Sequence, residues 1–274
     1  MSIEGFRGGM TTASSASAGD VEFLRYASRL HVGKKVSDEQ FDSVFGERQR
    51  AVSFRHWTPI GVACRAARLL TEMGATCILD VGAGVGKFCI VGALTTGAAF
   101  CGVERRGNLV EIARSAARRF GAGRATFTHA NILDFDSDRF DGFYIYNPFE
   151  EHLEWDPVPI DHDVETSPDL HRMCVAATTA KLIRARPGTT VVTFNGLGGP
   201  MPAHYRRVRS ERFCDADLTL WIKQADTQSV ADESFPASSS AGRASSRGEV
   251  ADPYHQDNAC GKFVGKPMLA IDQT

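Results

Sequence analysis

Ile78-Leu79-Asp80-Val81-Gly82-Ala83-Gly84-Val85-Gly86-Lys87-Phe88 decides how this chain is read. An apolar run enters a turn with three glycines, and a helical pattern leaves it. Glycine turns the backbone through conformations closed to other residues and lets a ligand approach without a Cβ in the way. Glu104 ends the next apolar run, 18 residues after Gly86. Strand, glycine turn, helix, strand and acid in that order describe a site for an adenosine-containing group.

Two familiar glycine loops are excluded by single residues. The dinucleotide fingerprint needs G-x-G-x-x-G, and Lys87 stands where its third glycine belongs. The phosphate loop of nucleotide hydrolases needs G-x-x-x-x-G-K-[S/T]. Val81 takes the place of its first glycine and Phe88 the place of its hydroxyl.

Outward from the turn, strands and helices alternate. Strands are expected near 76–81, 98–103, 125–129, 141–146 and 189–194. Helices are expected near 85–95, 108–120 and 168–185, with apolar residues on one face of each. Thr58-Pro59 reads as a capping hydroxyl followed by proline at the first helical position, and Gly74 ends that helix. Tyr205–Phe213 and Leu218–Lys223 read as two strands joined by a short polar turn. Such alternation implies a parallel sheet with helices on both faces.

The two ends differ in character. Residues 1–19 are Gly, Ser, Thr and Ala with little to bury, which predicts a disordered tail. Residues 20–55 carry helical patterns and predict a small helical cap. The main domain is expected over 56–224. From about Ala225 a serine-rich stretch begins, and 225–274 reads as a flexible low-complexity tail.

Composition narrows the classes. An apolar content of 43% supports a globular core, and a net charge of −2 gives no global basic field for nucleic acid. The seven cysteines form no C-x-x-C pair and no zinc spacing, and their odd number suits a reducing cytosol. Cys77, Cys89 and Cys101 lie in apolar runs and read as small core residues. Asp161-His162-Asp163 lacks a third, separated ligand for a metal. No run of 18 apolar residues occurs and the N-terminus lacks a signal-peptide segment, so the expected location is the cytoplasm with no membrane contact.

Asp80-Val-Gly82-Ala-Gly84-Val-Gly86 resembles the first motif of class I S-adenosyl-L-methionine (SAM)-dependent methyltransferases. The resemblance covers roughly residues 50–224. It implies a Rossmann-like α/β fold with a mostly parallel seven-stranded sheet and a terminal antiparallel hairpin. It also implies SAM as cofactor, held by Asp80, the loop glycines Gly82, Gly84 and Gly86, and Glu104 on the ribose hydroxyls. Asn131, after the third strand, would reach the adenine amino group, although asparagine is also a common turn residue. Thr58 would lie near the methionine end.

Strand four ends in Asn147-Pro148-Phe149, which resembles the [N/D]-P-P-[Y/F] motif of methyltransferases acting on amino nitrogens. The resemblance implies that Asn147 accepts a hydrogen bond from the target amine, with Pro148 and Phe149 completing the acceptor site. The chain departs from the motif: it has one proline, Glu150 stands where the aromatic residue belongs in an ungapped alignment, and Phe149 replaces either the second proline or the aromatic residue, which weakens the stacking of a base. From Glu150 to Glu165 there are seven carboxylates and no Lys or Arg. Such a loop is either a solvated acidic stretch or an entrance that attracts cationic amines. Arg105, Arg106, Arg114, Arg118 and Arg119 read as a solvent-facing helical face, and Arg206, Arg207, Arg209 and Arg212 as a possible phosphate-binding edge. The expected acceptor is an amino nitrogen of a protein side chain or small amine. An RNA or DNA base is the first alternative and a non-catalytic SAM-binding protein the second.

Overall fold

A computed structural model describes residues 18–153, 159–161, 163–213 and 216–225. Nearly all of both expected tails, and Glu154, Trp155, Asp156 and His162 of the acidic loop, lie outside the described residues.

Three helices come first: α1 (Ala18–His31), α2 (Asp38–Asp42) and α3 (Glu47–His56). Then follow α4 (Ile60–Glu72), β1 (Cys77–Val81), α5 (Lys87–Thr95), β2 (Ala99–Glu104), α6 (Gly107–Phe120), β3 (Ala125–His129) and β4 (Gly142–Ile145). A 3-10 turn at Glu150–His152 leads to α7 (Pro168–Arg184), β5 (Thr190–Phe194), β6 (Tyr205–Phe213) and β7 (Ala216–Lys223).

The seven strands form one sheet in the order β3-β2-β1-β4-β5-β7-β6. β1 to β5 pair in parallel. β7 is inserted between β5 and β6 and runs antiparallel to both. This is the Rossmann-like methyltransferase architecture. The chain winds outward from β1 to β3, then returns to lay β4 on the other side of β1. That reversal opens a crevice beyond the carboxyl ends of β1 and β4, where ligands of open α/β sheets bind.

Burial explains the strand sequences. All five residues of β5 are buried, as are four of the five in β1, because helices cover both faces. One apolar cluster lies on the side of α1, α4, α5 and α6, and the other on the side of α7. α5 lacks a polar face over its first two turns: Phe88, Cys89, Ile90, Val91 and Gly92 are all buried. Cys89 and Cys101 are buried and unbridged. The N-terminal helices share this core. Phe41 stacks on Phe120 with ring centroids 4.4 Å apart, and Phe23 meets the same ring edge-on at 5.4 Å.

The start of α4 corrects the expected cap. Pro59 is the N-cap residue, and the Thr58 hydroxyl is engaged elsewhere, 3.0 Å from the Tyr144 hydroxyl. The Ile60 N–H donates instead to Asp38 of α2 at 3.0 Å. A capping partner 22 residues away leaves no local sequence signature.

Asp38 also meets Lys87, the first residue of α5. The Lys87 ammonium is 2% exposed and lies 2.5 Å from Asp38 Oδ1 and 2.7 Å from Asp42 Oδ1. A cation at a helix N-terminus opposes the helix dipole, so the two carboxylates offset both its burial and its position. Burial pushes the Asp42 carboxyl above its ordinary value, and Lys87 and the Ser53 hydroxyl pull it back. Removing the cation strands Asp42. Lys87→Met should destabilise the fold by on the order of 3–5 kcal/mol in urea denaturation. Adding Asp42→Asn should recover part of that loss.

Candidate active site

The carboxyl ends of β1, β2 and β4 and the end of α3 enclose one cavity. Val81 and Ile145, the last residues of β1 and β4, are paired in register. The glycine loop and the Asn147 segment therefore leave the sheet side by side. A Cβ on Gly82 would come within 2.7 Å of Pro148 Cβ. One on Gly84 would come within 2.5 Å of the Trp57 ring. All three loop glycines have φ in the left-handed region, 74° at Gly82, 55° at Gly84 and 78° at Gly86. The Gly82 and Ala83 N–H groups both donate to Val103 O at 3.0 Å, which binds the loop to β2.

Two carboxylates face this loop. Glu104 is 7% exposed. Its Oε2 accepts the Gly84 N–H at 3.0 Å and its Oε1 the Arg106 N–H at 2.9 Å. Burial pushes its carboxyl up and these two N–H groups draw it down. A carboxylate oxygen has two lone-pair sites, so each keeps one for a further donor. Asp80 lies deeper, at 4% exposed, with the Cys89 thiol 3.5 Å from its Oδ2. Burial raises its pKa to about 7.

The remaining wall is aromatic and polar. Tyr144 stacks on Phe88 with centroids 3.8 Å apart. Tyr146 donates to Arg55 O at 3.3 Å, and burial holds its phenol well above the ordinary range. His56, Trp57, Thr58 and Ile160 line the same cavity. Asn147 adopts φ 35°, rare for a residue with a side chain, and its Nδ2 donates to Glu150 Oε2 at 2.7 Å.

Asp80, Gly82, Gly84, Glu104, Thr58, Asn147 and Pro148 all line the cavity. Gly86 stands one turn behind, at the head of α5, and a Cβ there would come within 2.5 Å of the Phe127 ring. Like Gly86, two further expected site residues do not line it. Phe149 is 6% exposed within the apolar cluster on the α7 side, among residues such as Val81 and Ile145. The bend at Asn147 sends its ring under the sheet. Asn131 is exposed, and its Oδ1 accepts the Leu133 N–H at 3.1 Å, so it closes a turn.

Arg105 and Arg106 correct a third expectation. Arg106 is 4% exposed, not solvent-facing. Its guanidinium meets Glu151 at 2.7 Å and Asp161 at 2.9 Å. Arg105 meets Glu151 at 3.1 Å and donates to Glu165 O at 3.1 Å. The acidic loop is thus fastened to the end of β2, and Arg106 holds the Glu151 and Asp161 carboxyls below their ordinary values. His152, 2% exposed in the same turn, is pushed down to about 4 by burial and Arg105, which leaves it neutral at pH 7. The sequence offered two stretches of opposite charge, but their separation of some 45 residues hid the pairing. Arg106→Met should free this clasp. Amide hydrogen exchange in residues 147–153 should quicken by about tenfold or more while β1 and β5 keep their protection.

The residues present fit SAM, a cation with an ammonium, a sulfonium and a ribose diol. Carboxylates face the cavity, and the glycine loop offers backbone rather than side chain. The free space is about 60 Å³, room for a few water molecules.

Residues 74–157 match the model of a methyltransferase domain. No curated protein matches the chain in sequence. Among solved structures, the chain is similar to an RNA methyltransferase from Salinibacter ruber in complex with S-adenosyl-L-homocysteine. That pair shares 21% identity over 64% of this chain and 99% of that one, with a TM-score of 0.46. An O-methyltransferase from Bacillus cereus is also similar, at 14% identity over 74% of this chain and 100% of that one, with a TM-score of 0.48. These likenesses are to the fold and do not extend to the acceptor. The domain match and the glycine loop at the sheet's switch point make this a methyltransferase that uses S-adenosyl-L-methionine.

Proposed function

We propose that the protein transfers the methyl group of SAM to an amino nitrogen of a protein side chain or small amine. The observation that carries this reading is Asn147: it lines the cavity beside Pro148, and its amide nitrogen is already bonded to Glu150. Its carbonyl oxygen is then the end left to accept an N–H from the incoming amine. Accepting that hydrogen bond turns the nitrogen lone pair toward the methyl carbon. SAM supplies a methyl already activated by its sulfonium. The protein supplies alignment, which can be worth about 7–11 kcal/mol. As the N–C bond forms, the C–S pair goes to sulfur, and the nitrogen sheds one proton.

In this reading Glu104 holds the ribose diol with its remaining lone pairs, and Asp80 faces the ammonium of SAM. The burial of Phe149 supports an amine over a planar base, because the one aromatic ring of the Asn147-Pro148-Phe149 segment is withdrawn from the cavity. One observation favours the nucleic-acid alternative: Arg206 and Arg207 are exposed on the edge strand β6. Their neighbours Arg209 and Arg212 are paired with Glu211 and Asp217. Retention on nucleic acid that falls steeply with salt would support that alternative.

Asn147→Ala should cut methyl transfer by about a hundredfold or more while the SAM dissociation constant stays within threefold. Transfer is counted with labelled methyl in extract from cells lacking the protein, with protein, RNA and small molecules separated. Label in RNA alone overturns the amine reading. Label in no fraction, with SAM bound, favours a non-catalytic binder.

The Asp80 carboxyl gives a pH signature. The unfolded group titrates at 3.8 and the folded one at about 7, so between these values the folded chain holds a proton the unfolded chain has lost. Its contribution to stability therefore falls as pH rises through that window. A bound ammonium favours the ionised form and expels the proton. SAM affinity should rise with pH by up to about tenfold per unit and level off above about 7. Asp80→Asn should flatten the profile in calorimetry.

A further inference from the structure

We infer that Glu150 is a positioning residue: by accepting the Asn147 amide nitrogen it fixes which end of that amide faces the acceptor, and so selects acceptors that donate an N–H. The inference rests on the amine reading above and names the device that enforces it.

The two ends of an asparagine amide are nearly equal in shape and opposite in function. The oxygen accepts and the nitrogen donates. A cavity that presents the nitrogen suits a substrate atom with a lone pair and no hydrogen, such as a ring nitrogen. A cavity that presents the oxygen suits an amine. Shape alone does not choose between them, so a neighbour must.

Glu150 is that neighbour. It occupies the position where the related motif has an aromatic residue, and it is 4% exposed. The left-handed φ of 35° at Asn147 bends the chain so that residues 147 and 150 meet twice. The Glu150 N–H donates to Asn147 O at 3.4 Å, and Asn147 Nδ2 donates to Glu150 Oε2 at 2.7 Å. A carboxyl oxygen that carries no proton only accepts hydrogen bonds, so Oε2 holds the nitrogen end and disfavours the flipped amide. The next residue secures the turn from the other side, since Glu151 is gripped by Arg106 at 2.7 Å. The turn is fixed at both carboxylates.

This gives the motif's departure a chemical meaning. An aromatic side chain at residue 150 would offer a stacking face. A buried carboxyl offers orientation instead.

The test compares Glu150→Met, similar in length without an acceptor oxygen, with Glu150→Gln, which keeps one. The first readout needs no substrate. In asparagine-labelled protein the Asn147 side-chain NH2 signals, identified by their loss in Asn147→Asp, should be shifted and slow to exchange. They should become ordinary in Glu150→Met and stay shifted in Glu150→Gln. The second readout is turnover. Glu150→Met should lower kcat by about tenfold to a hundredfold with SAM affinity unchanged, and Glu150→Gln should stay within about threefold of wild type. Ordinary Asn147 signals in the wild type, or full turnover by Glu150→Met, would overturn the inference. Equal loss in both variants would also overturn it, because charge rather than orientation would then be the contribution. If the wild type labels nothing, the amine reading fails, and the Asn147 signals alone decide whether Glu150 orients the amide.

Discussion

The approach of Gly82 to Pro148 is the constraint on which the site depends. Two parallel strands end in register at the point where the sheet reverses its order, and each must release its chain into the same narrow space. The distance of 2.7 Å from a Cβ on Gly82 to Pro148 leaves no room for a side chain there. A glycine at that position lets the glycine loop and the Asn147 segment lie against one another. The other two glycines serve the same packing at greater remove, Gly84 beneath Trp57 and Gly86 against Phe127.

Two buried cations then hold the flanks. Lys87 gathers Asp38 and Asp42, and through them joins α2, α4 and α5 on one side of the loop. Arg106 gathers Glu151 and Asp161 and draws the segment after β4 toward the end of β2. Buried ion pairs add little net stability compared with apolar packing, but they cost several kcal/mol when one partner is lost. Their effect here is to specify one arrangement of the helical cap and one of the acidic loop around a site built from backbone.

The sheet was legible because its signal is local. Every strand of the parallel core was expected within about two residues of where it lies, since buried parallel strands are continuous apolar runs and glycines mark their ends. The hairpin was legible instead from the short polar stretch that separates its two strands. The site was legible as far as it is carried by chain turns, at Gly82, Gly84, Glu104 and Asn147. What was hidden depends on partners far apart in sequence. Asp38 caps a helix 22 residues on, and Arg106 neutralises a loop some 45 residues on. Phe149 was misplaced because the chain bends at Asn147, with φ 35°, and the following ring packs in the cluster on the α7 side, a partnership with residues far away in sequence.

The pairing of the acidic loop changes the electrostatic argument for the substrate. Read as a row of carboxylates, the loop suggested a mouth that attracts cations from a distance. In the fold, Glu151 and Asp161 are neutralised by Arg105 and Arg106 together, and the long-range field those two carboxylates would have produced is cancelled at close range. The carboxyls nearest the glycine loop are inside the site, at Asp80 and Glu104 on the cavity wall, with Glu150 bonded to Asn147. Charge at depth acts differently from charge at an entrance. It does little to steer diffusion, because solvent ions screen it beyond about 10 Å. It acts strongly on a group already bound in a low-dielectric cavity, where the same charge is worth several times its value in water. In the amine reading proposed above, selection falls on which hydrogen-bonding group the acceptor presents at Asn147.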